Sequence, residues 1–121
     1  KDQKTLEEKL LWVNTNEQAV LDSSPNGFPD GMDHLDSYSY LDDLDIFGPR
    51  SLFHLLNRTT TSHGKARLSG LLRAPLLDSD AILRQQQAIR VLTPQPDKRQ
   101  LLTAKGLLAE EKEGNLYSLL T

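Results

Sequence analysis

The sequence predicts an all-α domain, a helical core with a long acidic loop after its first helix. Leucine dominates the apolar residues whereas valine and isoleucine are scarce, and unbranched side chains keep more rotamer freedom in helices than β-branched ones do. Apolar residues recur at helical spacing in several segments. Most of the breaks between these segments contain proline or glycine, which end helices.

The composition is that of a soluble globular domain. The 121 residues are 37% hydrophobic and 26% charged and include no cysteine, which excludes disulfides and cysteine metal sites. No apolar run approaches the ~20 residues that span a bilayer, and no signal sequence opens the chain, so we expect a cytoplasmic protein. Because residue 1 is Lys1 and both ends fall in helical patterns, we expect a fragment of a longer protein.

Charge divides the chain near residue 48. Residues 1–48 carry three lysines against eleven acidic residues, a formal charge of −8, whereas residues 49–121 carry eleven basic against six acidic residues, a charge of +5. We therefore predict an N-terminal helix and acidic loop (1–48) packed on the start of a helical core (49–121). The basic part could face nucleic acid, although charged helix surfaces are also commonly just solvated.

The first helix is predicted over residues 3–21. Thr5 and Glu8 have the spacing of an N-terminal capping box, and we expect Trp12 to pack at a contact between helices. The buried face is predicted from apolar residues at helical spacing: Leu6, Leu10 and Val13.

Residues 22–50 are predicted to be a loop because two turn sequences follow one another, at 23–27 and 29–31. The loop contains seven aspartates, but the residue spacing of a calcium-binding EF-hand loop is absent, so we predict no metal site. Three apolar residues should anchor the loop on the helical body: Leu44, Ile46 and Phe47.

The central stretch, residues 51–77, contains two short helical patterns and no acidic residue. For the first of them, over residues 51–58, Ser51 is the expected cap and His54 is expected to be partly exposed. The predicted buried stripe of this helix follows from i, i+3, i+4 spacing: Leu52, Leu55 and Leu56.

The second pattern follows a threonine-rich hinge and runs to about Arg73. Thr59 or Thr61 can cap it through a hydroxyl group, and Pro75 ends it by disfavouring helical geometry at the preceding residue. Gly64 lies in its first turn, where glycine costs about 1 kcal/mol relative to alanine, so we expect another part of the backbone to approach closely there. The predicted buried face is Leu68, Leu71 and Leu72.

Three further helices are predicted towards the C-terminus. The first covers residues 80–92, with Asp78 or Ser79 as its cap, and the others cover residues 97–110 and 113–121. The buried side predicted for the first of these combines Ile82, Ile89 and Leu92 with Ala81, Ala88 and Val91.

No catalytic constellation is visible in the sequence, so we predict that this stretch is not an enzyme and binds no cofactor itself. The three histidines lack the spacing of paired metal ligands. Gly64 and Lys65 are not the end of a phosphate loop, because Thr59 replaces the first glycine and Ala66 the final hydroxyl residue. Four cations of the central stretch are candidate contacts to a DNA backbone: Arg58, Lys65, Arg67 and Arg73.

The hinge resembles the start of the core domain of MutS-family DNA mismatch repair ATPases. The matching residues come in three groups: Leu52, Leu55, Leu56, Asn57, Arg58, Thr59, Thr61, Gly64, Arg67 and Leu68; Pro75 and Leu76; and Ile82, Gln86, Ala88, Ile89 and Leu92. One departure is Gln85, which stands where the family usually has arginine. Arg84 cannot simply replace that side chain, because a helix turns by about 100° per residue.

The resemblance implies an all-α core or lever domain, like MutS domain III. In the family this domain links an ATPase domain, which binds ATP and Mg²⁺ and dimerises, to clamp arms that close around double-stranded DNA. The parent protein would then be a homodimer, while the fragment itself could be monomeric. A structural hinge is implied at Asn57, Thr59, Thr61, Gly64 and Pro75, with a rigid, transmitting role.

A second hypothesis is a free-standing helical interaction module. Its acidic loop, through Asp42, Asp43 and Asp45, would bind a basic partner, and salt would weaken that binding.

Overall fold

The structure is a computed structural model that describes residues 2–34 and 45–120. These residues form a one-turn 3-10 helix, Met32–His34, and five α-helices: α1 (Asp2–Leu21), α2 (Leu52–Leu56), α3 (Ser62–Arg73), α4 (Ser79–Leu92) and α5 (Pro96–Leu120). No strand occurs within the described ranges, and the all-α prediction is confirmed. None of the helices in these ranges is both long and apolar enough to cross a membrane.

The principal helix pair is α1 against α5. Val13 of α1 and Ala104 of α5 are completely buried, so the predicted inward position of Val13 is confirmed. Polar contacts flank this seam: Lys9 forms a salt bridge with Glu111 at 3.1 Å, and the Gln100 side chain donates a hydrogen bond to Glu17 at 2.9 Å.

A second cluster lies under α2 and α3. The rings of Phe47 and Phe53 are 5.6 Å apart and both are buried, with Ile46, Leu68 and Leu72 packed around them. The prediction that Ile46 and Phe47 anchor the acidic loop is confirmed, whereas Leu44 lies outside the described residues.

The buried face of α2 differs from the prediction. Leu52, Leu55 and Leu56 are 42–51% exposed, whereas Phe53 and His54 are buried. Gly31 explains why the Phe53 side of α2 is buried. Its φ is +76°, and a Cβ there would stand 2.5 Å from the Phe53 ring. The 25–31 loop therefore covers the phenylalanine face of α2.

His54 is accordingly buried rather than partly exposed. Its Nδ1 accepts a hydrogen bond from the Arg50 N–H at 3.0 Å, and its own N–H donates to the hydroxyl of the cap Ser51 at 3.2 Å. The side chain thus fixes the turn that precedes α2.

The first helix begins earlier than its predicted cap. Because α1 starts at Asp2, Thr5 lies inside the helix, and Gln3 and Lys4, both good helix formers, extend the first turn. Trp12 is 38% exposed, and its ring meets Phe28 edge-on at 5.5 Å. The ring that Trp12 contacts therefore belongs to a loop residue, whereas a contact with another helix was predicted.

The C-terminal half contains two more differences. The two helices predicted at 97–110 and 113–121 are one continuous helix, α5, because the intervening residues Glu111 and Lys112 both favour helix. Helix α4 has no buried residue. The predicted buried residues Ala88, Ile89, Val91 and Leu92 are exposed there, while Ala81 and Ile82 are half-buried. Its main described neighbour is the start of α5.

Candidate functional site

The candidate site is the connection between α2 and α3, residues 57–61, which we call the hinge. Asn57 has φ −66° and ψ 116°, and Thr61 has φ −118° and ψ 153°. Both residues are extended, so the chain leaves α2 and enters α3 without a helical turn between them. The angle between the two helices therefore depends on what holds these residues.

Asn57 is the fixed point of the hinge because its side chain is fully buried. Its amide nitrogen donates a hydrogen bond to the Pro29 carbonyl at 3.1 Å. Its amide oxygen accepts two bonds from Thr59, one from the backbone N–H at 3.0 Å and one from the hydroxyl group. A buried amide that uses both ends in this way fixes the backbone on either side of it.

Arg58 lies against residues from the N-terminal part of the chain. Its guanidinium is 4.4 Å from the centre of the Phe28 ring, a cation–π contact, and it donates to the Asn57 carbonyl. Burial lowers the pKa of Arg58 from its ordinary value, and the charge of Glu17 acts in the opposite direction. Since arginine remains protonated in proteins, the hinge keeps a positive charge that is partly withdrawn from water.

The start of α3 is held from two directions. The Thr61 hydroxyl accepts a hydrogen bond from the Gly64 N–H at 3.1 Å, which confirms Thr61 as the cap. The Glu110 carboxylate on α5 accepts a bond from the Ser62 N–H at 3.1 Å. A negative charge is favourable at the N-terminus of a helix, where backbone N–H groups lack partners.

Gly106 is where the hinge lies closest to α5. A Cβ on Gly106 would stand 2.0 Å from the Thr60 hydroxyl oxygen and 3.2 Å from the Thr60 Cβ. At Gly64 the nearest atoms are hinge side chains, with the Thr61 hydroxyl oxygen at 3.1 Å and the Thr59 Cβ at 3.3 Å. The tightest approach to the hinge is therefore made at Gly106, while the predicted approach at Gly64 is to side chains and not to backbone.

Replacing Thr61 with alanine should destabilise the chain by about 1 kcal/mol, because the Gly64 N–H loses its partner. Urea denaturation followed by circular dichroism would measure the change. Thr61→Ser keeps the hydroxyl group and should lie within about 0.5 kcal/mol of the wild type. Equal losses in the two variants would contradict the capping role.

The remaining predicted hinge residue and the candidate DNA contacts are distributed around this site. Ala74, just before Pro75, closes α3 with its N–H bonded to the Gly70 carbonyl at 2.9 Å. A cleft of about 650 Å³ between the hinge, α3 and α5 is lined in part by Arg58, and a second cleft of about 380 Å³ by Lys65. The hinge threonines, residues 59–61, line both clefts.

The four candidate cations lie in different surroundings. Arg58 and Lys65 line different clefts, and Arg73 lies 5.2 Å from the centre of the Phe47 ring in a second cation–π contact. Arg67 is exposed on α3. Within residues 2–34 and 45–120, no three His, Cys, Asp or Glu residues are grouped so as to hold a metal ion.

Fold and hinge together define an all-α structural domain built around a helix–helix joint. Residues 34–118 match the family model described as MutS domain III, and the chain therefore belongs to the MutS family through this domain. Comparison with curated proteins and with solved structures finds no match. Domain III of MutS is a non-catalytic core domain, in keeping with a site made of caps, packing and buried hydrogen bonds.

Proposed function

We propose that this chain is part of the core or lever of a MutS-like DNA mismatch repair protein. In this role it couples ATP binding in a separate domain to the grip of that protein on double-stranded DNA. The observation that carries the proposal is the hinge. The buried Asn57 side chain and the close contact between Thr60 and α5 give the hinge one preferred geometry. A lever needs a joint of this kind to transmit a displacement.

The partners follow from the same proposal. ATP and Mg²⁺ would bind to the ATPase domain of the parent protein, clamp arms would hold the DNA, and the parent would act as a homodimer. Apolar side chains on α2 and α4 support contacts with other helices of that protein, since several are about half exposed: Leu52, Leu55, Leu56, Ile89, Val91 and Leu92. Single exposed leucines are ordinary, whereas several on one helix face, such as Leu52, Leu55 and Leu56 at i, i+3, i+4 spacing on α2, mark a contact surface.

Coupling can be tested in the full-length protein that contains this chain. Gly106→Ala should leave the ATPase rate without DNA unchanged and reduce its stimulation by DNA, because the alanine methyl group displaces Thr60 and with it the hinge. Gly114→Ala, in the same helix with nothing within 4 Å, is the matched control. Equal DNA stimulation in both variants would contradict the lever role, as would the absence of a phosphate loop from the parent sequence.

Direct DNA contact by this chain is a separate prediction that rests on Lys65 and Arg67. Arg58 and Arg73 already lie against phenylalanine rings, so they are less available to phosphates. Changing Lys65 and Arg67 together to glutamine should weaken duplex binding about tenfold at low salt and lower the salt-dependence slope by about two. A gel-shift titration measures both quantities, with Lys112→Gln on α5 as the control. No shift of the wild-type chain at low salt would rule the contact out.

A further inference from the structure

The family match begins at residue 34, yet several of the groups that hold the hinge precede that residue. Pro29 accepts the Asn57 side-chain bond, and Phe28 supplies the ring beneath Arg58. Glu17, on α1, is the charged group whose field acts on Arg58. Two consecutive hinge residues therefore depend on a segment outside the MutS domain III match.

The segment is itself supported on the α1–α5 pair. Trp12 packs edge-on against Phe28, and a Cβ at Gly27 would stand 1.9 Å from the Asn16 side-chain oxygen, so the 25–31 loop lies directly on α1. In turn, α1 is tied to α5 by the salt bridge between Lys9 and Glu111. A displacement of α1 would thus move Phe28 and Pro29, and through them the hinge.

We infer that residues 12–31 are an intramolecular brace that sets the conformation of the hinge. The brace acts by holding the Arg58 guanidinium on an aromatic face and by closing the hydrogen bonds of the buried Asn57 side chain. This inference rests on the proposed function only because it treats the hinge as the joint of a lever. Through the brace, a displacement of α1 alters the conformation of the hinge.

Amide hydrogen exchange measured by NMR on the whole chain tests the brace without DNA or nucleotide. Phe28→Leu keeps a buried apolar side chain but removes the ring beneath Arg58. Exchange at the Thr59 N–H, which is bonded to Asn57, and at the Ser62 N–H should accelerate about tenfold. The amides inside α5 should keep their wild-type rates. The matched control is Leu11→Ala, at an exposed position of α1 outside the brace, and it should change neither hinge amide.

Two results would overturn the inference. Unchanged exchange at Thr59 and Ser62 would show that the segment does not restrain the hinge. Equal acceleration in every helix would show that Phe28 supports the whole fold rather than the hinge.

If Phe28→Leu fails to fold, Glu17→Gln makes the same test through charge. It removes the negative charge that acts on Arg58 while keeping an oxygen for the Gln100 side chain, and Glu8→Gln on the exposed part of α1 is its control. We expect a few-fold acceleration at Thr59 in Glu17→Gln only, and equal rates in the two variants would contradict the brace. A failed DNA gel shift would leave these outcomes unaffected, so the brace and the proposed function fail separately.

Discussion

Gly106→Ala is expected to destabilise the chain by about 2 kcal/mol, within the usual range for forcing a methyl group into a packed site. The sign is informative because glycine to alanine in an open helix normally stabilises by up to about 1 kcal/mol. The new Cβ would lie 2.0 Å from the Thr60 hydroxyl oxygen and 3.2 Å from the Thr60 Cβ, so the Thr60 side chain has to rotate and the hinge has to shift slightly away from α5. Urea denaturation followed by circular dichroism gives the free energy of unfolding.

Two companion variants identify the cause. Gly114 lies in the same helix, and a Cβ built there would meet no atom of another part of the chain within 4 Å. Gly114→Ala should therefore stabilise the chain by roughly 0.5–1 kcal/mol. Thr60→Ala removes the hydroxyl oxygen, and combining it with Gly106→Ala should recover at least half of the loss, a coupling that a double-mutant cycle measures. Stabilisation by Gly106→Ala alone would show that the hinge does not lie against α5.

Asn57→Ala is expected to cost about 3 kcal/mol, because it opens a small cavity at a fully buried side chain and leaves the partly buried Pro29 carbonyl and Thr59 N–H without their partner. Asn57→Asp keeps the oxygen that Thr59 donates to, but it places a carboxylate against the Pro29 carbonyl oxygen. The aspartate variant should therefore be at least as unstable as the alanine variant at neutral pH. Free energies of unfolding from urea titrations test both expectations.

The control for Asn57 is the exposed Asn115 of α5. Its replacement by alanine should change stability by no more than about 0.5 kcal/mol. A loss below about 1 kcal/mol for Asn57→Ala would mean that the hinge is held by its packing and not by this amide.

Local features of the fold could be predicted from the sequence because they depend on a few neighbouring residues. Thr61 and Asp78 were each one of two candidate caps, beside Thr59 and Ser79, and each side chain accepts a bond from a backbone N–H three residues later. The end of α3 could also be predicted locally, because Pro75 disfavours helical geometry at the residue before it. Family membership followed from the spacing of such residues along the hinge, which needs no knowledge of packing.

Features that depend on distant segments could not be predicted in the same way. Helix α2 has only five residues, so its leucines and its phenylalanine offered two possible buried faces. The 25–31 loop decides between them, and nothing near α2 in the sequence reveals that loop's position. Asn57 carries no signal of burial, since Pro29, which accepts the bond from its amide nitrogen, is 28 residues away.

Gly106 did carry a signal. A glycine in the middle of a helical pattern costs about 1 kcal/mol relative to alanine. Its presence at such a position suggests that another part of the chain approaches closely. The sequence could not say which part, because Thr60 lies far away along the chain and contacts Gly106 only in the folded structure.

The most direct test of the central claim, that the hinge is a rigid joint held against α5, is a distance distribution across it. The chain has no cysteine, so cysteines at the exposed positions Leu55 of α2 and Glu113 of α5 can carry a pair of spin labels. Pulsed electron spin resonance should give one narrow distribution in the otherwise wild-type chain and a broad or displaced one with Gly106→Ala. A broad distribution without that substitution would contradict the claim.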